Sequence, residues 1–296
     1  MKKHFVSFAD SQLHRSARRI QRQAEALNFF DTIITADEND LSQAFKTRFK
    51  SNLITGSRGY GYWCWKPQII LQVLDEMGDG DILQYTDAGC HLNKNGIARL
   101  HDYFRLAAAS SAGILAFQAK QPEPPLVYDG RKLLDAPDSK WIKGDLADYF
   151  GVRNRPDILN TPTIGAGIVF VRKCRRSVEI INQWLNVIEA DFSLLDDSPS
   201  SSPNLTGFIE HRHDQAIFSI LCKLNDVETL SAYEYCYPSL DSGTPDWKAL
   251  EMFPIHARRD KNFGLITSAK KAARGIFRRM SKILAKFRRK CSLILP

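Results

Sequence analysis

At the start of the chain, two short apolar runs flank a segment whose apolar residues fall at helical spacing. Residues 4–9 and 31–36 are apolar over the length of a strand, and residues 16–30 lie between them. The apolar positions of this middle segment fall at helical spacing: Ala17, Ile20, Ala24 and Leu27. A strand, a helix and a strand in this order predict a βαβ unit with parallel strands.

The alternation of helices and strands continues along the chain. Further helices are predicted over residues 67–77, 97–109, 177–190 and 213–224. Further strands are predicted over residues 81–86, 113–119 and 163–171, with a late strand within residues 228–237. Residues 122–137, rich in proline and charge, predict a loop or lid, and residues 196–204 predict a polar surface loop. The pattern predicts an α/β fold that binds ligands at the carboxyl ends of its strands.

The composition is that of a globular protein. The 296 residues are 44% hydrophobic and 25% charged, which suits one large domain with a substantial core. No run of about 18 apolar residues occurs, so no membrane-spanning helix is expected. The first ten residues become polar too early for a signal peptide and predict a strand instead. The six cysteines show neither a C-x-x-C pair nor zinc spacing, and are expected to be reduced thiols of a cytosolic protein.

The net charge of +8 is concentrated at one end of the chain. Ten of the 41 lysines and arginines lie between Lys270 and Lys290, so residues 1–267 carry 31 cations and 33 carboxylates. A nearly neutral body argues against a nucleic-acid groove, and no nucleic-acid partner is expected. The basic end predicts an appended electrostatic device.

Two candidate ligand-binding segments follow predicted strands. Ala9 and Asp10 end the first strand, and Asp87 follows the strand over residues 81–86. Carboxylates at such strand ends lie where open α/β sheets bind ligands. The alternative is that these aspartates cap turns.

Three glycines and four aromatic residues crowd residues 56–67. The glycines allow the backbone to approach a ligand, and the aromatic rings, including Trp63, offer stacking faces for a base or a sugar. Arg58 and Lys66 are candidate phosphate ligands. The alternative is a small aromatic core with two solvated cations.

Two further polar clusters lie in the C-terminal half. Residues 210–215 place charged groups, including Asp214, at a predicted helix start, where they can form a preorganised site. The alternative is that Asp214 caps the helix beside exposed histidines. His256 precedes a basic run ending at Lys261, which suits a diphosphate or simply begins the basic tail.

In this order the motifs resemble the GT-A-type glycosyltransferases, most closely the glycogenin-like retaining branch that includes lipopolysaccharide transferases. Four motifs carry the resemblance over residues 4–262: Asp87-Ala88-Gly89, Gly165-Ala166-Gly167, Asp214-Gln215, and His256 with Lys261. Residues 61–67 also look like a signature of bacterial surface-polysaccharide transferases. The resemblance implies a mixed, mainly parallel sheet flanked by helices and a nucleotide-sugar donor.

The resemblance also implies roles for individual residues. Asp87 and His256 would ligate a divalent metal, Mn²⁺ or Mg²⁺, and Lys261 would grip the diphosphate. Asp214, with Gln215 beside it, would act near the reacting sugar carbon. Ala9, Asp10, Arg58, Trp63, Lys66 and Asp87 would contribute to donor binding. The second Asp of the metal motif is Gly89 here, and the late motif lacks its usual intervening glycine.

The implied reaction transfers a sugar from a nucleotide-diphosphate donor to a hydroxyl of a surface glycan or glycolipid. Retention of configuration is favoured, and an inverting enzyme would instead use Glu210 or Asp241 as a base. Two alternatives are a nucleotidyltransferase or a non-enzymatic sugar-binding and membrane-adaptor module. The first should carry a glycine-rich loop after the first strand, and residues 10–15 contain no glycine.

Residues 268–296 form a predicted tail domain that follows a catalytic domain over residues 1–267. Its apolar side chains Ile276, Met280, Ile283, Leu284 and Phe287 fall on one helical stripe flanked by ten cations. Such a basic amphipathic helix is typical of binding to an anionic membrane surface. We therefore expect a peripheral protein on the cytoplasmic face of a membrane, acting on a lipid-linked acceptor.

Overall fold

The structure, a computed structural model, describes residues 1–122, 127–128, 131–132, 136–237 and 246–260. The predicted tail domain, Lys261 and Asp241 lie outside the described residues. No helix among the described residues is both long and apolar enough to span a membrane. Five cysteines in this part of the chain are free thiols.

The described elements alternate as the sequence predicts. The strands are β1 (Lys3–Phe8), β2 (Thr32–Ala36), β3 (Ile82–Thr86), β4 (His91–Leu92), β5 (Ile114–Gln118), β6 (Val127–Tyr128), β7 (Arg131–Lys132), β8 (Ile164–Arg172), β9 (Glu228–Ser231) and β10 (Ile255–His256). The helices are α1 (His14–Leu27), α2 (Gln43–Arg48), the short turn α3 (Gly59–Tyr62), α4 (Trp65–Glu76), α5 (Ile97–Ala109), α6 (Gly144–Tyr149), α7 (Pro156–Leu159), α8 (Arg175–Ala190) and α9 (Asp214–Leu224).

Six strands form the central sheet in the order β2-β1-β3-β8-β5-β9. Strands β1, β2 and β3 pair in parallel, and β9 is parallel to β5. Strand β8 is antiparallel to both of its neighbours, with Thr86 opposite Ile168. The predicted α/β fold with a mixed, mainly parallel sheet is therefore confirmed. Because β8 is reversed, its first residues lie at the carboxyl edge of the parallel strands.

Helices cover both faces of the sheet because successive strand residues are apolar on both sides. Leu83 and Tyr85 of β3 belong to the core that α4, α8 and α9 complete, while Ile82 faces the core of α1 and α5. The same division occurs on β8 between Val169 and Phe170. A strand that is buried on both faces has a continuous apolar run in its sequence. This run made these strands recognisable.

The differences from the sequence prediction are confined to short elements. The predicted loop over residues 122–137 contains the antiparallel pair β6–β7, and the late strand is only four residues long. Helices α2, α6 and α7 were not predicted, because four to six residues are too few for a helical period to show. The pair β4–β10 was also missed, although it brings His256 opposite His91 beside the Asp87 loop.

Candidate active site

The candidate site lies at the carboxyl edge of the parallel strands, where four segments meet. These are the end of β1, the loop after β3, the start of β8 and the start of α9. The structure thus brings Asp87, Asp214 and Lys66 together, although they are far apart in the sequence. Lys66 reaches the edge from the first turn of α4.

Lys66 forms the centre of this site. Its Nζ donates to Oδ2 of Asp214 at 2.7 Å and to the carbonyl oxygen of Ala166 at 3.1 Å. It also lies 3.3 Å from Oδ1 of Asp87. The side chains of Lys66 and Asp214 are only 3% and 6% exposed, so the ion pair is buried. A buried charge is tolerated only when it is paired in this way.

Asp87 is the solvent-facing member of the site, with 39% of its side chain exposed. Its Oδ1 accepts a hydrogen bond from the Tyr85 hydroxyl at 2.7 Å, and its backbone N–H donates to the Gly167 carbonyl at 2.8 Å. A β-carbon added at Gly167 would lie 2.8 Å from Oδ2 of Asp87. The glycine of this strand is thus required for the carboxylate to lie against β8.

Burial and charge pairing set the protonation of the site. Burial raises the pKa of Asp214 to about 6, although Lys66 opposes the shift. Burial alone would lower the pKa of Lys66, but Asp214 and Asp87 together raise it above its ordinary value. Lys66 therefore stays a cation at neutral pH, and Asp214 changes charge in a range where a catalytic carboxylate can titrate.

The glycine-rich and aromatic segment folds into a left-handed turn. Residues 59–63 all have positive φ, between 51° and 84°, and three of them are not glycine. Such a conformation costs an L-residue about 1–2 kcal/mol, so tertiary contacts must hold it. The indole of Trp65 donates to the Gly59 carbonyl at 3.0 Å, and Ser57 Oγ accepts from the N–H of Gly61. The turn leads directly into α4 and so positions Lys66.

The tryptophans of this segment have different surroundings. Trp65 is buried and stacks on Phe8 at 3.9 Å between ring centroids, so it belongs to the core. Trp63 is partly exposed, and its ring lies 5.8 Å from that of His213, the residue before Asp214. The stacking face predicted for Trp63 thus adjoins the site, and the aromatic-core alternative holds for Trp65.

His213 borders the candidate site and lies within the predicted polar cluster over residues 210–215, although no role was predicted for it. The alternative, in which Asp214 caps the helix beside exposed histidines, is wrong because His211 and His213 are both buried. His213 Nδ1 lies 2.8 Å from the Leu195 carbonyl oxygen, and its backbone has a φ of 54°. Strained backbone of this kind clusters at functional sites. Here it immediately precedes Asp214, which contacts Lys66.

The other predicted donor-binding residues lie around this centre with partners of their own. Arg58 pairs with Asp197 at 3.2 Å, and both side chains are nearly half exposed. Gln215 donates to the Thr163 hydroxyl at 3.2 Å. Ala9 and Asp10 are buried at the end of β1. Their roles in donor binding stay predictions.

The late motif packs beside the Asp87 loop. The His256 ring is buried, with Nε2 2.8 Å from the Leu250 carbonyl oxygen and the Trp247 ring stacked on it. Asp260 accepts from Arg19 at 3.1 Å and lies 3.2 Å from His91. These contacts fix the chain after β10 against the start of α1.

The described residues do not assemble a complete set of ligands for the divalent metal that the resemblance implied. Metal sites of this kind need several oxygen or nitrogen ligands. Within the described ranges no group of three or more His, Cys, Asp or Glu side chains converges as a metal site would require. Oδ1 of Asp87 already accepts a hydrogen bond from the Tyr85 hydroxyl and lies near Nζ of Lys66. The ring Nε2 of His256 lies near the backbone carbonyl oxygen of Leu250.

Comparisons with known proteins give matches only among solved structures. No protein-family model and no curated protein matches the sequence. The chain is similar to the galactosyltransferase LgtC in complex with donor and acceptor sugar analogs, with 13% identity, a TM-score of 0.42 and 86% of each chain covered. It is also similar to apo mouse xyloside xylosyltransferase 1, with 12% identity and a TM-score of 0.41, covering 79% of this chain and 87% of that one.

A third similar structure is a glycosyltransferase involved in glycosylation of the major capsid of PBCV-1. It is 10% identical with a TM-score of 0.43, and the match covers 86% of this chain and 92% of that one. All three are glycosyltransferases, the class that the motif order resembles. The function proposed below rests on the residues of this chain.

Proposed function

We propose that the chain is a glycosyltransferase that uses a nucleotide-diphosphate sugar and retains the configuration at the sugar carbon. The observation that carries this proposal is the bridge from Lys66 to Asp214 and Asp87 at the carboxyl edge of the sheet. The bridge brings together the buried carboxylate of Asp214, whose pKa is raised, the paired cation of Lys66 and the solvent-facing carboxylate of Asp87. A buried ion pair adds little to stability on balance, so its position at the ligand edge favours a functional role.

Each residue has a task that its surroundings suit. In glycosyl transfer the sugar becomes oxocarbenium-like, and an ionised carboxylate such as Asp214 stabilises this charge. Lys66 holds Asp214 in one orientation and keeps it ionised near neutral pH, because the pair opposes the effect of burial. Asp87 and the Trp63 ring border the open side, where hydroxyl groups and a sugar face can bind.

The proposal is tested by donor cleavage. Transferases commonly hydrolyse their donor slowly without an acceptor, so the full-length protein is incubated with UDP-, GDP- and dTDP-sugars and the released nucleoside diphosphate is measured. We expect slow release from at least one sugar class, and NMR of an acceptor product reports the anomer. A non-enzymatic sugar-binding module would leave every donor intact, which would refute the proposal.

We further propose that the acceptor is a surface glycan or a lipid-linked glycan presented at the cytoplasmic face of a membrane. The support is the sequence of residues 268–296, whose apolar stripe and ten cations suit an anionic bilayer. The protein would then be peripheral, with the tail as its membrane contact. Lipopolysaccharide and capsule precursors are the acceptor class that this arrangement favours.

A further inference from the structure

Two departures from the glycosyltransferase motif pattern contact one another in the fold. Gly89 stands where the pattern has a second Asp, and Arg259 lies within the late motif, which lacks its usual intervening glycine. A β-carbon added at Gly89 would lie 3.5 Å from Cα of Arg259, and the N–H of Asp260 donates to the Gly89 carbonyl at 2.9 Å. The backbone of the late motif therefore packs directly against the Asp87 loop.

Arg259 keeps a backbone conformation that glycine would adopt more readily. Its φ is 53°, in the left-handed region that disfavours side chains with a β-carbon. A strained conformation of this kind persists when the surroundings hold it, and it is found most often at functional sites. An arginine at such a position indicates that its side chain has a use.

The Arg259 side chain is exposed and unpaired within the described part of the chain. Burial raises the pKa of Cys90 and of Tyr235, and the Arg259 guanidinium opposes both shifts. The Tyr235 hydroxyl lies 2.9 Å from the position of a β-carbon at Gly165, at the start of β8. Because Gly89 is two residues from Asp87, the backbone of Arg259 lies against the Asp87 loop.

The neighbouring Arg258 provides a contrast. Its guanidinium lies 5.0 Å from the Trp247 ring centroid, and Nη2 lies 3.5 Å from Nδ1 of His256. Arg258 is thus occupied by the packing of the late motif, whereas Arg259 is free to bind an anion.

We infer that Arg259 binds the diphosphate of the donor and supplies there the positive charge that a motif with a second Asp would supply through a metal ion. This inference rests on the proposed function and deepens it. With Gly89 in place of the second Asp, one metal-ligating carboxylate is absent. The residue that packs against Gly89 is Arg259, whose planar guanidinium can bind phosphate oxygens through two N–H groups. Donor binding then needs no divalent metal.

The test is calorimetric binding of UDP, GDP and inorganic pyrophosphate to the full-length protein in EDTA. Arg259→Gly removes the charge and accepts the left-handed φ, so its melting temperature should equal or exceed that of the wild type. We expect the wild type to bind at least one probe in EDTA and Arg259→Gly to weaken that binding by about tenfold or more. Arg259→Lys should fall between them, and the control Arg258→Ala should stay within about threefold.

The outcomes separate this inference from the proposed function, because donor hydrolysis is measured on the same proteins. Wild-type binding that appears only with Mn²⁺, or equal binding by Arg259→Gly, would overturn the role of Arg259 while hydrolysis by the wild type upheld the proposed function. Failure of the wild type both to bind any probe and to hydrolyse any donor would overturn both.

Discussion

Nζ of Lys66 lies 2.7 Å from Oδ2 of Asp214, a residue 148 positions further along the chain. The contact joins the first turn of α4 to the start of α9 across the carboxyl edge of the sheet. Because both side chains are buried, each depends on the other for its charge. The pair therefore couples the stability of the fold to the chemistry of the site.

Removing the cation should destabilise the protein strongly. Lys66→Met leaves Asp214 as a buried carboxylate without its partner, and breaking such a pair costs about 3–5 kcal/mol. The free energy of unfolding from urea titration measures this, with the exposed Lys94→Met as the matched control. The double variant Lys66→Met/Asp214→Leu should recover much of the loss, since it removes both charges. A single variant as stable as the control would contradict the pairing.

The raised pKa of Asp214 predicts a pH dependence of stability. The unfolded carboxyl titrates near its ordinary value of 3.8 and the folded one near 6. The folded state thus binds the proton more tightly, and this contribution is fully present below pH 3.8 and lost as the pH rises through about 6. The unfolding free energy of the wild type relative to Asp214→Asn should fall by roughly 1–3 kcal/mol between pH 4 and pH 7. A constant difference over this range would contradict the assignment.

Activity should have the opposite dependence on pH. If the ionised form of Asp214 stabilises the sugar, turnover at saturating donor should rise with pH and reach half its plateau near pH 6. At pH 5 about one tenth of the plateau is expected. A rate independent of pH between 5 and 7 would exclude ionised Asp214 from the rate-determining step.

Gly167→Ala tests the position of Asp87. The added β-carbon would clash with Oδ2 of Asp87, so the carboxylate must move away from β8. We expect donor hydrolysis to fall by about tenfold or more, and by much less when Asp87→Asn is already present. Strictly multiplicative effects in this double-mutant cycle would mean that the two residues act independently.

If the tail is the membrane contact, its removal should abolish membrane binding and leave donor hydrolysis intact. A protein ending at Thr267 should lose sedimentation with anionic liposomes and keep its hydrolysis of soluble donors, because the proposed catalytic residues precede Lys270. Neutral liposomes provide the control for electrostatic attraction. Equal binding by the full-length and shortened proteins would exclude the tail as the membrane contact.

The parts of the fold that could be predicted are those with a local signal. The strands and the long helices follow from the spacing of their apolar residues, whereas the contact of Asp87 with Gly167 was not predicted. Asp87 and Asp214 were recognisable from their places at a strand end and a helix start.

The missing parts depend on contacts between distant segments. Lys66 was expected as a phosphate-binding cation, and its burial becomes visible only when Asp214 is brought beside it. The left-handed turn over residues 59–63 opposes the local preferences of its aromatic residues, so tertiary contacts decide it. Likewise, nothing near His213 in the sequence indicated its strained backbone, because the Leu195 carbonyl that binds its ring lies on another segment.

The most direct measurement of the central claim is the rate of nucleoside-diphosphate release from a sugar nucleotide by Asp214→Asn, alongside its affinity for the free nucleoside diphosphate. The variant keeps the shape of the side chain and removes the charge that we propose stabilises the sugar. We predict a loss of about 100-fold or more in turnover at saturating donor, with affinity within about threefold of the wild type. A variant that releases the diphosphate at the wild-type rate would contradict the assignment of the Lys66–Asp214 site as the catalytic centre.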